Sequence, residues 1–207
     1  MRRWTICFPA LLSAVAVAVG GCSADTKSPT SAKPASTEEP LVTVAAEPNN
    51  YAWWLRVQFR PIDREIRSIP VTGFDPSWQF ASELRKDLLV KEVLGEDGRA
   101  QMEENGLTFI RPGDFNKDGV EDLALVGVYQ DRVGKRGNFL AVLTKTDTGG
   151  WRKIFLKSWP GKGGFLALGM NGNKLSLWSC MECDMPEELA WDEKAKSYTL
   201  IPSKPYQ

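Results

Sequence analysis

Histidine is absent from the 207 residues of this chain. Its absence excludes Ser-His-Asp and Cys-His catalysis, histidine acid–base chemistry and histidine-based zinc sites. An excess of charge is also missing, since 26 basic residues balance 26 acidic ones, and nothing here predicts nucleic-acid binding. The content of 43% hydrophobic and 25% charged residues is that of an ordinary globular protein. With no clear catalytic constellation, we expect a protein that is not an enzyme.

Long apolar runs are scarce, and the one at the start of the chain has the features of an export signal. Met1–Trp4 is a short basic segment, and Thr5–Val19 is an apolar run too short to span a bilayer comfortably. The following sequence, Val19-Gly-Gly-Cys22, resembles the lipobox of bacterial lipoproteins. The resemblance implies a signal peptide of residues 1–21, cleavage before Cys22, and fatty acylation (palmitate or a similar chain) of that cysteine. An ordinary secretory signal followed by an unrelated cysteine is the alternative.

This resemblance also predicts where the protein is located. A lipid on Cys22 would attach it to a membrane of the bacterial cell envelope, and Ser23 at the next position resembles the pattern sent to the outer membrane. Residues 22–48 would form a lipidated, disordered tether, because they contain few large apolar side chains and cannot bury enough surface to offset the entropy of ordering. Residues 49–207 would then form a single α+β calcium-binding domain.

The most informative stretch places oxygen side chains on alternate residues. Asp114, Asn116 and Asp118 are followed by Gly119, and Asp122 supplies a fourth oxygen. Ca²⁺ prefers about six to eight oxygen ligands, and side chains on alternate residues of a tightly curled loop can converge on one point. The glycine permits the sharp turn. An Asp/Asn/Gly-rich turn without a metal ion is the alternative.

The same stretch carries a family resemblance. Asp114-Phe-Asn-Lys-Asp-Gly-Val-Glu-Asp-Leu123, followed by an apolar strand up to Tyr129, resembles the calcium loop of FG-GAP and VCBS repeats, the blades of integrin-alpha-type β-propellers. An EF-hand would instead place Glu where Leu125 stands. Because no second loop of this kind occurs, a complete propeller is not expected. The resemblance implies Ca²⁺ as the bound ion and these ligands: Asp114, Asn116, Asp118, Val120 through its carbonyl, and Asp122.

The order of sequence patterns predicts an α+β fold with a dominant antiparallel meander. Tyr51–Arg60 alternates like a strand. Asp75-Pro76 indicates a helix start, with an apolar stripe at Trp78, Ala81, Leu84 and Leu88. Another short helix is predicted over Arg99–Glu104, with Gly106 after it. From Leu107 onward the pattern is that of propeller-blade-like hairpins, with turns at Asp147–Gly150, Asn171–Asn173 and Asp192–Lys196.

Two further groups of residues suggest roles in binding or stability. Trp53 and Trp54 are the tryptophans most expected to be exposed for contact with a sugar or a protein partner. Arg56, Arg60, Arg64 and Arg67 form either an anion site or a solvated basic face.

The cysteines suggest one disulfide. If Cys7 is removed with the signal and Cys22 is acylated, Cys180 and Cys183 are the remaining thiols, and an exported protein should join them. A redox-active pair is the alternative.

We therefore expect an envelope-anchored lipoprotein whose Ca²⁺-stabilised domain has a binding or structural role, in adhesion, as a scaffold or as an accessory subunit. The expected partners are the membrane, through Cys22, and a protein or carbohydrate, but not nucleic acid. The alternative is a periplasmic enzyme. It would be either a thiol-disulfide oxidoreductase using Cys180 and Cys183 or a carboxylate-based hydrolase.

Overall fold

The structure is a computed structural model, and it describes residues 40–45, 52–89, 97–182 and 186–202. All of these residues belong to one compact unit, residues 38–207. The predicted signal peptide, Cys22, the tether up to residue 39 and Cys183 lie outside the described residues. Of the helices described, none is long and apolar enough to cross a membrane.

Antiparallel strands dominate the described chain, and a few short helices accompany them, so the predicted α+β class with a β meander is confirmed. The elements in chain order are β1 (Val42–Val44), α1 (Trp53–Arg56), β2 (Val57–Phe59), β3 (Glu65–Ile66), β4 (Ile69–Pro70), α2 (Val71–Phe74), β5 (Trp78–Glu83), a 3-10 helix (Lys86–Leu88), α3 (Asp97–Glu104), β6 (Ile110–Gly113), β7 (Asp122–Asp131), β8 (Arg136–Lys145), β9 (Trp151–Pro160), β10 (Ala167–Asn171), β11 (Lys174–Trp178), β12 (Glu187–Asp192) and β13 (Ser197–Pro202).

The central sheet has five strands and is built around β7. Its order is β5-β7-β8-β9, and β6 also pairs with β7. One edge of β7 is shared between two partners: β6 pairs with residues 122–125 and β5 with residues 127–131. The first half of β7, where the 114–121 loop arrives, therefore has a paired strand on both sides.

Both faces of this sheet are buried, which explains the continuous apolar run in β7. Ala124, Val126 and Val128 belong to the larger of two hydrophobic clusters, whereas Leu123 and Leu125 belong to the smaller one. Alternate side chains of a strand point to opposite faces, so β7 contributes to two cores at once. The predicted buried strand is confirmed.

A second, four-stranded sheet has the order β10-β11-β12-β13. Its hairpins and the β8–β9 hairpin turn where the sequence predicted them, at residues 171–174, 192–197 and 145–151. A bridge between Thr108 and Leu168 connects β10 to the segment that continues into β6. The larger cluster includes Leu168, Leu177, Leu189 and Tyr198 from this sheet.

The helix predicted from Asp75-Pro76 is wrong, because that segment forms β5. The Asp75 carboxylate accepts hydrogen bonds from the backbone N–H (2.8 Å) and the hydroxyl (2.7 Å) of Ser77, which makes a turn of the kind that also begins helices. Trp78 and Ala81 both lie in the smaller core. A β-bulge between Trp78 and Phe80 places the side chains of Trp78 and Ala81 on the same face of the sheet. Their three-residue spacing is therefore the same as that of a helix.

The strand predicted over Tyr51–Arg60 is wrong in its first half, and so is the predicted exposure of its tryptophans. Trp53 and Trp54 lie in α1 and are only 1% and 5% exposed. The Trp53 ring packs edge-on against Phe165 at 5.4 Å between centroids, and its indole N–H donates to Gln101 Oε1 at 3.0 Å. A helical turn separates neighbouring side chains by about 100°, so both rings can reach the interior.

The folded region begins earlier than residue 49. Val42–Val44, inside the segment predicted as tether, form β1 and pair with β2. Val42 is buried in the larger core, and β-branched side chains favour a pleated, half-buried strand.

The helix predicted over Arg99–Glu104 is confirmed as α3, and Gly106 after it has a φ of 62°.

The four arginines of the predicted basic cluster do not share one arrangement. Arg67 forms an ion pair with Glu83, with 2.9 Å between Nε and Oε2. The Arg64 guanidinium lies 5.1 Å from the centre of the Phe80 ring. These separate partners of Arg64 and Arg67 disfavour one anion site shared by all four arginines.

Candidate functional site

The 114–121 loop connects β6 to β7 at the end where those strands pair. Gly113 is opposite Asp122 in the ladder, so the two ends of the loop are held side by side. The Phe115 side chain packs against the larger core. A Cβ atom at Gly113 would come within 2.8 Å of the Phe115 ring, which explains why glycine occupies that position.

Side-chain oxygens of the loop accept hydrogen bonds from its own backbone amides. Asp114 Oδ1 accepts from the Asp118 N–H at 3.1 Å, and Asp114 Oδ2 accepts from the Gly119 N–H at 2.9 Å. Asn116 Oδ1 also accepts from the Asp118 N–H, and Asn116 Nδ2 donates to Asp118 Oδ2 at 2.8 Å. Asp118 Oδ1 accepts from the Val120 N–H at 2.8 Å. Asp114, Asn116 and Asp118 are therefore brought together around one curled backbone.

Two residues with positive φ produce this curl. Lys117 has a φ of 60° and Gly119 a φ of 83°. Left-handed backbone is unfavourable for a residue with a Cβ atom and is readily adopted by glycine. The carboxylates that accept hydrogen bonds from the neighbouring amides hold the curl in place.

The fourth predicted ligand, Asp122, is a buried carboxylate at the start of β7. Its side chain is fully inaccessible to solvent. Oδ2 accepts hydrogen bonds from the Tyr198 hydroxyl at 3.0 Å and from the Phe115 N–H at 3.3 Å. Oδ1 is buried and has no hydrogen-bond partner of normal geometry among the described residues. The Thr144 hydroxyl, across the ladder on β8, interacts with the carboxylate without completing such a bond.

Burial raises the pKa of Asp122, because it disfavours the charged form. Interactions with Thr144, Tyr198 and the Phe115 amide lower it in part, and the negative charge of Asp118 raises it further. The pKa of Tyr198 is raised too, chiefly by burial and then by the neighbouring Asp122. A positive charge beside Asp122 would therefore relieve an unfavourable concentration of negative charge.

The residues of the loop fit a calcium ion in chemistry. A carboxylate oxygen has two lone pairs, so an oxygen that accepts an amide hydrogen can also ligate a metal. Among the described residues, no three histidine, cysteine, aspartate or glutamate side chains are grouped so as to hold a metal ion. A calcium ion here would therefore need a mixed set of oxygens: the carboxylates, the Asn116 amide oxygen and the Val120 carbonyl.

Glu121 lies outside this set although it is next to Asp122. Its carboxylate is 3.4 Å from Lys145 Nζ, its backbone carbonyl accepts from the Lys145 N–H, and its side chain is half exposed. The two adjacent acids thus have different surroundings, as strand alternation requires. Glu121 can serve as a matched control for substitutions in the loop.

Tyr198 is the residue of this site that sequence reasoning missed. It lies on β13, 76 positions from Asp122, and its contact depends on the packing of one sheet against the other. Its ring packs against Phe155 and Trp191, with centroids at 5.8 and 4.8 Å. No local pattern in the sequence signals such a partner.

Of the two cysteines predicted to form a disulfide, one is among the described residues. Cys180 is disulfide-bonded and only 8% exposed. Its predicted partner, Cys183, lies outside the described residues, so the pairing stays a prediction. A sulfur with so little exposed surface favours a structural bridge over a redox site, because reactive cysteines are accessible.

No protein-family model matches this chain, no curated protein matches it, and no solved structure matches it.

Proposed function

We propose that this protein is an envelope-anchored lipoprotein whose β domain is stabilised by one Ca²⁺ ion at the 114–122 loop and has a binding or structural role. The main observation in support of Ca²⁺ binding is the buried Asp122 carboxylate. Its Oδ1 atom has no hydrogen-bond partner of normal geometry among the described residues. A buried carboxylate whose hydrogen bonds are incomplete is costly, and a coordinated metal ion is one way of compensating it.

The rest of the loop supports a hard divalent cation. Asp114, Asp118 and Asp122 carry three negative charges, and Asn116 adds a neutral oxygen without further charge. Oxygen-only ligands are those that Ca²⁺ and Mg²⁺ prefer. Mg²⁺ should bind less well, because it loses its water reluctantly and requires a tighter octahedron. The absence of a bidentate Glu at the twelfth position places the expected affinity in the weak extracellular range, with Kd about 10⁻⁴–10⁻³ M.

Isothermal titration calorimetry of the purified protein tests this part of the proposal. We expect one Ca²⁺ site in the wild type and a clearly weaker response to Mg²⁺. Asp118→Ala should abolish the calcium heat, whereas Glu121→Ala should leave it unchanged because Glu121 faces Lys145. Equal loss in both variants would contradict the assignment of the loop, since it would show no preference for the proposed ligands.

The lipid anchor is proposed from Val19-Gly-Gly-Cys22 alone. Mass spectrometry of the mature N-terminus tests it. We expect an acylated Cys22 as the first residue, and Cys22→Ala should leave the protein unlipidated and largely released from membranes. An intact signal segment, or a free unacylated cysteine at the N-terminus, would contradict the anchor and leave the calcium site unaffected.

A further inference from the structure

A cavity of about 290 Å³ is lined by residues of both sheets. This volume is near the lower end of the range for small-molecule sites, about 300–1,000 Å³. On the five-stranded sheet it is lined by the paired residues Asn138 and Trp159. The remaining lining comes from the 165–166 segment, the end of β11 with the two residues after it, and the start of β12. Cys180, which is disulfide-bonded, is one of the two residues after β11 in this lining.

Aromatic rings form a large part of the lining. Trp159, Phe165 and Trp178 all border the cavity. The Phe165 ring packs edge-on against Trp53 and Phe109, with 5.4 and 6.3 Å between ring centroids. Trp159 and Trp178 are partly exposed, and neither is stacked against another aromatic ring among the described residues. Both rings also pack against the larger hydrophobic cluster, and both border the cavity.

Among the described residues that line the cavity, one side chain is charged, that of Glu187. Glu187 is opposite Leu177 in the β11–β12 pair and two residues before Leu189. Both leucines belong to the larger core, so strand alternation directs Glu187 to the same inner face. Within the described residues its carboxylate has no hydrogen-bond or ion-pair partner. Glu187 is only partly buried, so its carboxylate can stay charged and face a ligand in the cavity.

The other polar groups of the cavity are mostly engaged. The Asn138 amide donates to the Gly164 carbonyl at 2.6 Å and accepts from the Gly164 N–H at 3.0 Å. The Trp178 indole N–H donates to Ser176 Oγ at 3.0 Å. A sugar ring requires many convergent polar partners, and few remain here. An anion is disfavoured too, because no basic residue is among the lining residues described and Glu187 would repel it.

We propose that this cavity binds a small organic cation, an ammonium or quaternary ammonium group on a short apolar body. The aromatic faces attract the cation and pack against its apolar body, and Glu187 supplies the opposite charge. This inference gives the proposed binding role a site and a ligand class, and it does not depend on the calcium loop.

The test uses benzyltrimethylammonium, neutral benzyl alcohol and anionic benzenesulfonate as probes, titrated by calorimetry into the purified protein in non-ionic detergent. We expect submillimolar binding of the cation and much weaker binding of the other two. Glu187→Gln should weaken the cation about tenfold, and Trp178→Leu or Trp159→Leu about three- to thirtyfold. Glu104→Gln, at an exposed glutamate of α3, should change nothing.

Three outcomes would overturn the proposal: benzyl alcohol binding as tightly as the cation, unchanged binding in Glu187→Gln, or equal weakening in Glu104→Gln. Circular dichroism of each variant shows whether it is folded, and Glu187→Gln conserves the side-chain volume if the tryptophan variants do not fold. Each titration is repeated with excess chelator and with Ca²⁺. If the wild type binds Ca²⁺ but gives no heat with benzyltrimethylammonium, the proposed cation site is wrong. If it binds benzyltrimethylammonium but gives no heat with Ca²⁺, the proposed calcium site is wrong.

Discussion

At the scale of single residues, the main feature is the contrast between two neighbouring acids. Glu121 is half exposed and faces Lys145, whereas Asp122 is buried and shared between the loop and β13. A one-residue step along a strand reverses the face on which a side chain lies. The sequence shows two similar acids, but the fold gives one a solvated ion pair and the other a buried charge.

Removing the Tyr198 hydroxyl should destabilise the domain. Tyr198→Phe keeps the ring packing but leaves Asp122 Oδ2 with one donor fewer, so we expect a loss of about 1–3 kcal/mol in the free energy of unfolding. Urea unfolding followed by fluorescence measures it. Thr199→Val removes a hydroxyl from the next, exposed position of the same strand and should cost less than about 0.5 kcal/mol. Equal effects of the two substitutions would contradict the role given to the Tyr198–Asp122 bond.

Sequence reasoning at this scale identified residues with local signals and failed where the partner is distant. Asp114, Asn116 and Asp118 follow a local spacing, and the structure gathers them on one curled loop. The sequence predicts that Trp53 and Trp54 are exposed, but both are buried, and Trp53 packs against Phe165, which is more than 100 positions away. Tyr198 and the unpaired Glu187 had no sequence signal either, because strand pairing and sheet packing determine their surroundings.

At the scale of elements, hairpins were predictable and the segments before them were not. Turn-forming residues at 147–150, 171–173 and 192–196 locate three hairpins, since turn chemistry is local. The run from Leu123 to Tyr129 is apolar enough to indicate a strand buried on both faces. Asp75-Pro76 was misleading because an aspartate before a proline starts helices and turns alike, and the bulge in β5 reproduces a helical spacing.

The close packing of the central sheet predicts a strong effect at Gly127. A Cβ atom there would lie 2.3 Å from the Phe139 ring and 2.5 Å from the Ser82 carbonyl oxygen, so Gly127→Ala forces strands β5, β7 and β8 to move. We expect a loss of about 1–3 kcal/mol or more in the free energy of unfolding, measured by denaturant titration. Gly161→Ala, where a Cβ atom would meet nothing within 4 Å, should be nearly neutral. A neutral Gly127→Ala would contradict the β5–β7–β8 arrangement.

The β11–β12 pair predicts a contribution to stability that depends on pH. Glu188 accepts hydrogen bonds from Lys174 Nζ at 2.7 Å and from Asn171 Nδ2 at 2.8 Å. The hydrogen bond and the charge of Lys174 hold the pKa of Glu188 below its ordinary value of 4.5. The unfolded chain therefore binds its proton first. Stability from this group is fully present above that value and is lost as the pH falls through the lower folded-state pKa.

Glu188→Gln should consequently flatten the acid side of the stability profile. We expect the wild type to lose about 0.5–1 kcal/mol more than the variant between about pH 5 and pH 3, a modest amount because Lys174 is 61% exposed. Urea unfolding midpoints measured across this pH range test the prediction, with Glu104→Gln as the control. Identical profiles for wild type and Glu188→Gln would show that the pair does not contribute.

At the scale of the whole domain, the 114–121 loop lies where the two sheets meet. Asp122 begins the central strand of one sheet, and its carboxylate accepts a hydrogen bond from Tyr198 on the last strand of the other. An ion bound at the loop would therefore stabilise the packing between the sheets as well as the loop itself. We expect calcium to change the stability of the entire domain, so that thermal unfolding remains a single transition.

The most direct measurement is thermal unfolding of the wild type in excess Ca²⁺ and in chelator, with Asp118→Ala and Glu121→Ala beside it. At ten times the dissociation constant, bound Ca²⁺ should add about 1.4 kcal/mol to the free energy of unfolding, which raises Tm by about 3–6 °C in a domain of this size. Glu121→Ala should keep this shift and Asp118→Ala should lose it. The same Tm for the wild type in Ca²⁺ and in chelator would contradict the account and leave the loop as a turn held by its own hydrogen bonds.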